Sequence, residues 1–482
     1  MDKPLGDARI ATEAELSAAL SGGESESILL GRYFDAEADR ATSEIAYNGE
    51  RHLLIFGPNG SGKGTRFLIP NLLLGLKDQS VIVVDPKGEL AAITADRRRK
   101  MGHNVVILNP FNVLGLGSAG FNPLSSLDPN LSTFYDDAAA IGEALIQIQG
   151  TEPHWSESAQ GLVVALLMWE KKQNGKNANL ENVRRMLTQA NDWVDEIGPD
   201  DKPHKRQVAG LRVTAAHMVV KDGYEIESLA ARFTEESKEL SSIQSAADTQ
   251  TRWMLSEPVR KDLKKDGVNF ASLKDQPTTV YVILPAERLR THSVWLRLVI
   301  VSALRSLYKP GGLRTVMAID EMAALGHLAP LEDAFGLVRG FRVQIAAIFQ
   351  DLNQLKALYK ERWETFIANA GVVFGFAPND LTTADWMSKR SGQTTVVAKG
   401  FNQNTGTSMG GQTSMSSGAG ASDQQVARPL FLPHELIGFE EGMGLLWLAG
   451  MGNSTKFFAP SYWKIAECRK WMKPNPYREQ EG

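Results

Sequence analysis

The sequence predicts an α/β fold in which a parallel sheet is interrupted by a long helical block. Short runs rich in Val and Ile alternate with helix-like segments in residues 51–123, and similar runs resume after residue 273. This alternation is typical of a parallel sheet with crossover helices, and unbroken apolar runs indicate strands buried on both faces. Residues 124–272 instead carry apolar residues at helical spacing. We therefore predict one α/β domain, 51–123 and 273–482, with an inserted all-helical domain, 124–272.

The predicted strands are short and mostly apolar. They are residues 52–56, 80–84, 105–108, 278–284, 315–319, 343–348 and 372–376, with β-rich runs at 445–448 and 457–458. Residues 1–50 are predicted to be an N-terminal arm with one short helix, which Thr12 and Glu15 cap reciprocally. Residues 399–425 are rich in Gly, Ser, Thr and Gln, and because such a segment buries little surface we predict a mobile loop.

Composition excludes several classes of protein. The 482 residues are 43% hydrophobic and 22% charged, as in a globular protein with a packed core. No apolar run approaches the roughly 18 residues that span a bilayer, and no signal peptide opens the chain, so the sequence predicts a soluble, cytoplasmic chain. The single cysteine, Cys468, excludes an internal disulfide and a thiolate zinc cluster.

The net charge of −4 gives no global sign of nucleic-acid binding. Basic residues nevertheless cluster at 97–100, 184–185, 202–206 and 260–265. Each run alone is typical of a solvated helix face, and contact with DNA is the alternative interpretation.

A glycine-rich turn follows the apolar run 53–56 and leads into a helix-like segment. It consists of Gly57, Pro58, Asn59, Gly60, Ser61, Gly62, Lys63, Gly64 and Thr65. The pattern indicates a P-loop, because its glycines let backbone donors converge on a phosphate while Lys63 reaches the β- and γ-phosphates. The usual signature has Ser or Thr directly after the lysine, so here the hydroxyl that holds Mg²⁺ falls to Thr65. The sequence therefore predicts that ATP and Mg²⁺ bind at this turn, and an ordinary strand-to-helix turn is the alternative.

Two acids follow the strand predicted at 315–319. We expect Asp320 to hold Mg²⁺, usually through water, and Glu321 to act as the general base that polarises the attacking water. The alternative is a strand that ends in an exposed helix N-cap. Asp85 also follows a strand, and because neighbouring parallel strands end in one crevice, Asp85 stays a rival candidate.

Two further side chains complete the predicted site. Gln350 follows the strand at 343–348, where its amide is expected to sense the γ-phosphate. Arg339 lies in a glycine-bounded stretch and is expected to stabilise transition-state charge from a neighbouring subunit. A surface salt bridge is the alternative role for Arg339.

Several separate motifs, in order, resemble one family. They are Gly-Pro-Asn-Gly-Ser-Gly-Lys-Gly at 57–64, Ile-Pro-Asn-Leu-Leu at 69–73, Val-Asp-Pro-Lys-Gly-Glu-Leu at 84–90, Asn-Pro-Phe at 109–111, Ile-Asp-Glu at 319–321, Gln-Asp-Leu-Asn-Gln-Leu at 350–355, Asn-Asp-Leu at 379–381 and Arg-Pro-Leu at 428–430. This set looks like the conjugative coupling proteins of type IV secretion systems, the TraG/TraD-like ATPases. The resemblance runs from about residue 6 to 463, and the Lys-Gly ending of the P-loop is itself common in the family.

The resemblance implies a RecA-like motor domain with an inserted all-helical domain, assembled as a homohexameric ring. Such a ring couples ATP hydrolysis to the export of relaxase-bound DNA through a type IV secretion channel. The resemblance also implies Glu321 as catalytic, Gln350 as sensor and Arg339 as the arginine that acts in trans. Because no base-reading motif is visible, DNA binding is expected to be independent of sequence, and the relaxase is expected to engage the helical block.

Members of the family usually begin with membrane-spanning helices, whereas this chain begins at a segment, residues 6–9, that resembles the one following them. We expect a place at the inner face of the bacterial inner membrane, with those helices either removed or supplied by another protein. Two other functions stay open. One is a duplex-DNA pump of chromosome-segregation type, and the other is a recruitment platform that binds nucleotide without turning it over.

Overall fold

The computed structural model describes residues 5–20, 27–148, 153–197, 202–208, 210–221, 223–235, 237–408 and 414–478. For some residues in these ranges, Arg339 among them, it describes the backbone alone. The strands are β1 Ile28–Asp35, β2 Arg40–Tyr47, β3 His52–Phe56, β4 Ser80–Val84, β5 Asn104–Leu108, β6 Asp192–Ile197, β7 Pro203–Val208, β8 Thr278–Val282, β9 Thr315–Ile319, β10 Val343–Phe349, β11 Ala370–Phe376, β12 Gln393–Ser408, β13 Ser414–Pro429, β14 Met443–Leu448 and β15 Thr455–Phe458.

The helices mostly lie between these strands, as crossover connections require. They are α1 Glu13–Ala19, α2 Ile69–Leu74, α3 Glu89–Lys100, α4 Phe134–Leu145, α5 His154–Asn174, α6 Leu180–Leu187, α7 Gly210–Lys221, α8 Tyr224–Ala230, α9 Lys238–Thr251, α10 Glu257–Asp262, α11 Leu289–Leu307, α12 Ala329–Leu337, α13 Leu352–Tyr359, α14 Trp363–Asn369, α15 Leu381–Arg390, α16 Pro433–Ile437 and α17 Ala466–Arg469. Within the described ranges, no helix is both long enough and apolar enough to cross a membrane.

The chain divides into two compact units. The first comprises Met1–Phe67 and Ile348–Ile465. Its strands lie in the order β2-β1-β15-β14-β11-β3, in which β11 is parallel to β3 and the other pairs are antiparallel. Every residue of β3 and β11 is buried, which fits their continuous apolar sequence. The long strands β12 and β13 form a separate antiparallel ribbon.

The second unit comprises Leu68–Ala347 and Ala466–Gly482. Strands β9, β4, β8 and β5 lie side by side in that order, all parallel, and the first five residues of β10 pair with β9. Every residue of β4, β8 and β9 is buried. Because the strands are parallel, their carboxyl ends share one edge, and the loops that follow them carry the functional side chains of this unit.

Between β5 and β8 the second unit is mostly helical. The 21-residue helix α5 is at the centre of this block, since α4, α6, α8 and α9 all pack against it. The prediction of an all-helical block overlooked the antiparallel hairpin of β6 and β7, whose sequence is too polar to read as strand. The predicted domain boundaries themselves stay a prediction.

The strand predictions are confirmed closely, and the N-terminal residues hold more structure than expected. In α1, the Thr12 hydroxyl accepts from Glu15 N and the Glu15 carboxylate accepts from Thr12 N at 2.8 Å, which is the predicted capping box. Strands β1 and β2 lie within the predicted arm, and β1 pairs with β15, a partner far away in sequence. Paired strands also occupy much of 399–425, whose predicted mobility stays a prediction.

Candidate active site

The glycine-rich loop in the first unit begins where β3 ends. Gly57 N donates to Phe349 O at 3.0 Å, which ties the start of the loop to the last residue of β10. Gly60 and Gly62 have φ of +85° and +91°, in the left-handed region that L-residues rarely adopt. The loop then continues into a π-helical turn, Lys63–Leu68. Gly60 and Gly62 of the predicted P-loop are therefore favoured by the backbone conformation itself.

Close packing explains two of the glycines. A Cβ atom at Gly57 would lie 2.7 Å from Ser61 Oγ, and one at Gly62 would lie 2.5 Å from the Arg66 side chain. Gly60, in contrast, has nothing within 4 Å of the place where a Cβ atom would be. The loop is thus packed on one side and open at Gly60, as expected of a loop that surrounds a ligand.

The polar side chains of the loop fit an anionic group. Lys63 Nζ donates to Gly57 O at 2.6 Å and to Pro58 O at 3.1 Å, so the ammonium lies against carbonyls of its own loop. The Thr65 hydroxyl donates to Gly62 O at 3.3 Å. Ser61 Oγ is buried and has no hydrogen-bond partner among the described residues. A buried hydroxyl that lacks a partner beside a cation is consistent with a phosphate-binding loop.

Gln350 lies next to the phosphate-binding loop. It follows Phe349, whose carbonyl accepts from Gly57 N, and Gln350 N donates to Gln354 Oε1 at 2.9 Å. The Asp351 side chain caps α13 by accepting from Gln354 N at 2.8 Å. The first unit therefore brings the loop 57–65 and Gln350 together, as the sequence predicts.

In the second unit, two acids follow β9 and a third follows the neighbouring strand β4. Asp320 and Glu321 follow β9 and are half-buried. Asp85 follows β4, and because Val84 pairs with Ile319, Asp85 and Asp320 leave neighbouring strands at the same level. The two candidate acids that the sequence left as rivals are therefore neighbours.

Asp85 is the more deeply buried of these acids. It is 1% exposed, and its Oδ2 accepts from Ala91 N at 2.9 Å. Burial raises the pKa of Asp85 from 3.8 to about 7, and the nearby carboxylates of Asp320 and Glu89 raise it further against the hydrogen bonds from the backbone. Near neutral pH, a proton therefore competes with a metal ion for the Asp85 carboxyl.

The acid cluster fits Mg²⁺ better than a metal held by protein alone. The described residues hold no group of three or more His, Cys, Asp or Glu side chains arranged around a common point. Mg²⁺ normally keeps several waters and takes one or two carboxylates together with phosphate oxygens. The half-buried Asp320 is a ligand of the type that such an ion takes.

Arg339 lies away from these acids. It belongs to the turn Val338–Phe341, which precedes β10, and its side chain is outside the described part of the chain. Lys274 Nζ donates to Phe341 O, and Arg342 donates to Gly312 O at 3.0 Å, so the turn is fastened beside the start of β9. Glu321 follows the other end of β9, about 17 Å away along a five-residue strand. The structure therefore does not bring Arg339 and Glu321 of one chain together.

The sequence did not single out Arg66, which supports the phosphate-binding loop. Its side chain is 4% exposed, forms an ion pair with Glu441 and donates to Ala459 O at 2.7 Å. Arg66 also packs directly against Gly62, because a Cβ atom at Gly62 would lie 2.5 Å from the Arg66 side chain. In the sequence, the position of Arg66 directly after Thr65 is the feature that could have indicated this supporting role.

The basic run at 97–100 has a structural role. Arg98 is fully buried and donates to Gly75 O at 3.0 Å and to Leu76 O at 2.8 Å, and burial lowers its pKa to about 10. The Arg97 guanidinium lies 3.9 Å from the centre of the Trp471 ring. Arg98 is therefore not part of a solvated face, and the half-buried Arg97 packs on an aromatic ring.

Comparison with known proteins adds a family to this geometry. A family model described as type IV secretory system conjugative DNA transfer matches residues 6–453. Conjugal transfer protein TraG of Escherichia coli is 28% identical over 422 residues, which cover 82% of this chain and 62% of TraG. The type IV secretion system-coupling protein VirD4 of Bartonella henselae is 27% identical over 407 residues, which cover 81% of this chain and 59% of VirD4. The chain thus spans about three fifths of the length of these curated relatives.

Solved structures of the bacterial conjugative coupling protein TrwB have the same fold. TrwB in complex with the non-hydrolysable ATP analogue ADPNP superposes with a TM-score of 0.65 at 19% identity, over 95% of each chain. TrwB in complex with ADP and Mg²⁺ superposes with a TM-score of 0.62 at 18% identity, over 92% of this chain and 96% of TrwB. The likeness confirms the predicted fold class, a RecA-like P-loop domain with a helical domain.

Proposed function

Because the chain belongs to the type IV secretory system conjugative DNA transfer family, we propose that it is an ATP-driven coupling protein. In this role it recruits relaxase-bound DNA to a type IV secretion channel and moves the DNA during conjugation. The observation that carries the proposal is the loop 57–65, whose left-handed glycines, lysine and buried serine hydroxyl fit a nucleotide phosphate. TrwB, which has the same fold, binds ADPNP, and binds ADP together with Mg²⁺.

The residues divide into binding and chemical roles. Lys63, Ser61 and the loop backbone would hold the phosphates, and Thr65 and Asp320 would hold Mg²⁺. When bound, Mg²⁺ supplies positive charge that offsets the charge on the phosphate oxygens. Glu321 acts as the general base for the attacking water, because its carboxylate follows β9 without the deep burial of Asp85.

Arg339 acts on the nucleotide of a neighbouring subunit. The position of Arg339 in the fold supports this role. Arg339 lies near the start of β9 and Glu321 follows its end, so an arginine side chain cannot span the distance to the acids of its own chain. A homohexameric ring would bring the Arg339 of one subunit to the nucleotide of the next, where its charge stabilises the transition state. Gln350, next to the loop, senses whether the γ-phosphate is present.

The partners follow from this assignment. DNA is bound without reading its sequence, and the relaxase supplies specificity by engaging the helical block. The protein works on the cytoplasmic side of the bacterial inner membrane, beside the secretion channel.

The test is the ATPase rate per subunit over a range of protein concentrations, with and without single-stranded and duplex DNA. We expect the rate per subunit to rise with concentration and with DNA, since assembly supplies Arg339 in trans. Glu321→Gln should bind nucleotide and stop turnover. Tight binding without turnover at any concentration or with any DNA would instead favour the recruitment platform.

A mixing experiment tests the arginine directly. Arg339→Ala and Glu321→Gln subunits are each expected to be inactive, and rings containing both should recover some activity at interfaces that pair an intact Glu321 with an intact Arg339. Absence of recovery in rings proven to be mixed would show that Arg339 acts within its own subunit or only supports the fold.

A further inference from the structure

The second unit has a cleft at the carboxyl edge of its parallel strands, outside the proposed active site. Its volume is about 470 Å³, within the range of about 300–1,000 Å³ that is usual for small-ligand sites. The loops after β4, β5 and β8 line it, together with the C-terminal segment. The main lining residues are Pro86, Lys87, Phe111, Pro285, Arg288 and Tyr477.

Two of the family-like motifs meet in this cleft through residues that have no role in the proposed active site. Lys87 belongs to the motif at 84–90, and Phe111 belongs to the Asn-Pro-Phe motif at 109–111. Strand β8 lies between β4 and β5, so the loop that carries Pro285 and Arg288 lies between the two motif loops. Topology alone therefore gathers three distant pieces of sequence at one place.

The cleft combines cations with aromatic rings. The Arg288 guanidinium lies 4.9 Å from the centre of the Phe111 ring, over its face. Tyr477 is 55% exposed and donates from its hydroxyl to Lys87 O at 2.7 Å, which fixes the ring beside the lysine backbone. Glu287 is the acid among the lining residues, against the two cations Lys87 and Arg288. The lining thus offers stacking surfaces and two cations, although the carboxylates of Glu287, Asp85 and Glu89 also lie close enough to act on Tyr477.

The wall of the cleft after β5 is held in a strained conformation. Asn112 and Leu114 have φ of +51° and +54°, although neither is glycine. The side chain of Asn109, which is 1% exposed, accepts from Val113 N at 2.9 Å and donates to Val113 O at 3.1 Å. Strain of this kind persists only where surrounding contacts impose it, and it is concentrated at ligand sites. The loop is therefore pre-organised around Phe111.

We propose that this cleft binds one unpaired nucleotide of a single DNA strand. The base stacks against Tyr477 and against the Arg288 guanidinium, which lies over the Phe111 ring, and Lys87 contacts a flanking phosphate. Aromatic rings among basic side chains are the usual means of holding single strands without reading sequence, because every base has a π-face. A base inside a duplex is already stacked on its neighbours, so the cleft selects single strands over duplexes. The proposal rests on the proposed function, which supplies DNA as the ligand.

The test measures the affinity of the full chain, without nucleotide, for fluorescent oligothymidylate, for an abasic strand of equal length and for a duplex. Wild type should bind the oligothymidylate most tightly. Phe111→Ala and Tyr477→Ala should each weaken that binding by between about five- and one-hundred-fold and abolish the preference over the abasic strand. Lys87→Ala should lower the slope of log affinity against log salt concentration by about 0.7.

Matched variants keep the test specific. Tyr224, which is 80% exposed on the helical block, controls for the loss of an exposed ring, and the exposed Lys309 controls for the loss of a charge. Tyr224→Ala and Lys309→Ala should leave oligothymidylate affinity unchanged. Tyr477 and Lys87 are exposed, so their variants keep the proposal testable if Phe111→Ala does not fold.

The possible outcomes distinguish an error in the proposed function from an error in the cleft proposal. If wild type binds none of the three ligands at any concentration that forms rings, the DNA role in the proposed function is wrong. If wild type binds the oligothymidylate but the cleft variants bind it equally well, the cleft proposal alone is overturned. The cleft proposal would also be overturned if Phe111→Ala weakened binding of the oligothymidylate and of the abasic strand equally. Equal weakening would mean that the cleft does not contact a base. Loss of ATP affinity in the cleft variants would assign the cleft to the nucleotide instead.

Discussion

Two loops of this protein follow the carboxyl ends of parallel strands and differ in how they are built. The loop 57–62, after β3, consists of small residues and brings backbone and Lys63 around an opening. The loop 109–118, after β5, is held by the side chain of Asn109 and presents the ring of Phe111. Both loops contain residues at positive φ, but glycines adopt it in the first, whereas Asn112 and Leu114 also adopt it in the second.

The difference follows from ligand chemistry. A phosphate is small and charged, so its site requires close approach of the backbone, which side chains would block. A base is flat and mostly apolar, so its site requires a fixed ring, which a rigid loop must support. We expect the two loops to be separable by mutation.

The largest effect should come from Lys63→Ala. Loss of the loop ammonium should weaken ATP binding at least about a hundredfold, since two charge-assisted hydrogen bonds contribute about 3 kcal/mol or more. Oligothymidylate affinity should not change, because the proposed DNA cleft does not include this loop. Calorimetry with an ATP analogue and anisotropy with the oligonucleotide measure the two affinities, and Lys309→Ala is the control. Unchanged ATP affinity would refute the nucleotide site, and parallel loss of both affinities would show that the loops act as one site.

The next effect concerns the pH dependence of stability and Asp85. Burial raises the pKa of Asp85 from 3.8 to about 7. The stability that Asp85 contributes is therefore fully present below about pH 4 and is lost as the pH rises through about 7. Asp85→Asn should remove this loss, so between about pH 5 and 8 the free energy of unfolding should fall less in the variant, by on the order of 2–4 kcal/mol.

Urea titrations of the nucleotide-free protein at the two pH values measure the effect of Asp85. A variant with the same pH dependence as wild type would show that Asp85 is ionised when the protein is folded. In that case Asp85 would again rival Asp320 as the ligand of Mg²⁺.

The smallest effect should come from Asn109→Ala. Val113 N and O would lose their partner, which should lower the free energy of unfolding by about 1–3 kcal/mol. Oligothymidylate binding should weaken and ATP binding should not, because the change frees the loop around Phe111. Urea unfolding and amide exchange at Val113 measure the first effect, and Asn130→Ala, at an exposed amide, should cost less than about 0.5 kcal/mol. Unaltered exchange at Val113 would mean that Asn109 does not hold this loop.

Local patterns in the sequence were enough for much of the fold and of the candidate site. The bounds of β3, β4 and β9 agree with the predicted 52–56, 80–84 and 315–319, because short apolar runs rich in β-branched residues and bounded by turn residues are typical of central strands. The capping box of α1 and the positive φ of Gly60 and Gly62 were likewise readable, since each depends on residues only a few positions apart.

Features that depend on contacts between residues far apart in the sequence could not be predicted from local patterns. Strands β1 and β2 lie in the predicted arm, because their mixed polar sequence becomes strand only by pairing with each other and with β15. The basic run around Arg98 resembles a solvated helix face. Arg98 is nevertheless buried, because the carbonyl oxygens of Gly75 and Leu76 accept hydrogen bonds from its guanidinium.

The sequence by itself determined which side chains and turns this protein has: a glycine-rich loop at 57–65, acids after strands, and an aromatic motif at 109–111. The tertiary structure decided which of them meet. Parallel pairing of β4 with β9 makes Asp85 and Asp320 neighbours, and pairing of β4 and β5 with β8 joins Lys87, Phe111 and Arg288 in one cleft. The physical reason is that chemistry and backbone conformation are local properties of the chain, whereas strand order is set by burial of whole apolar faces, which no single motif encodes.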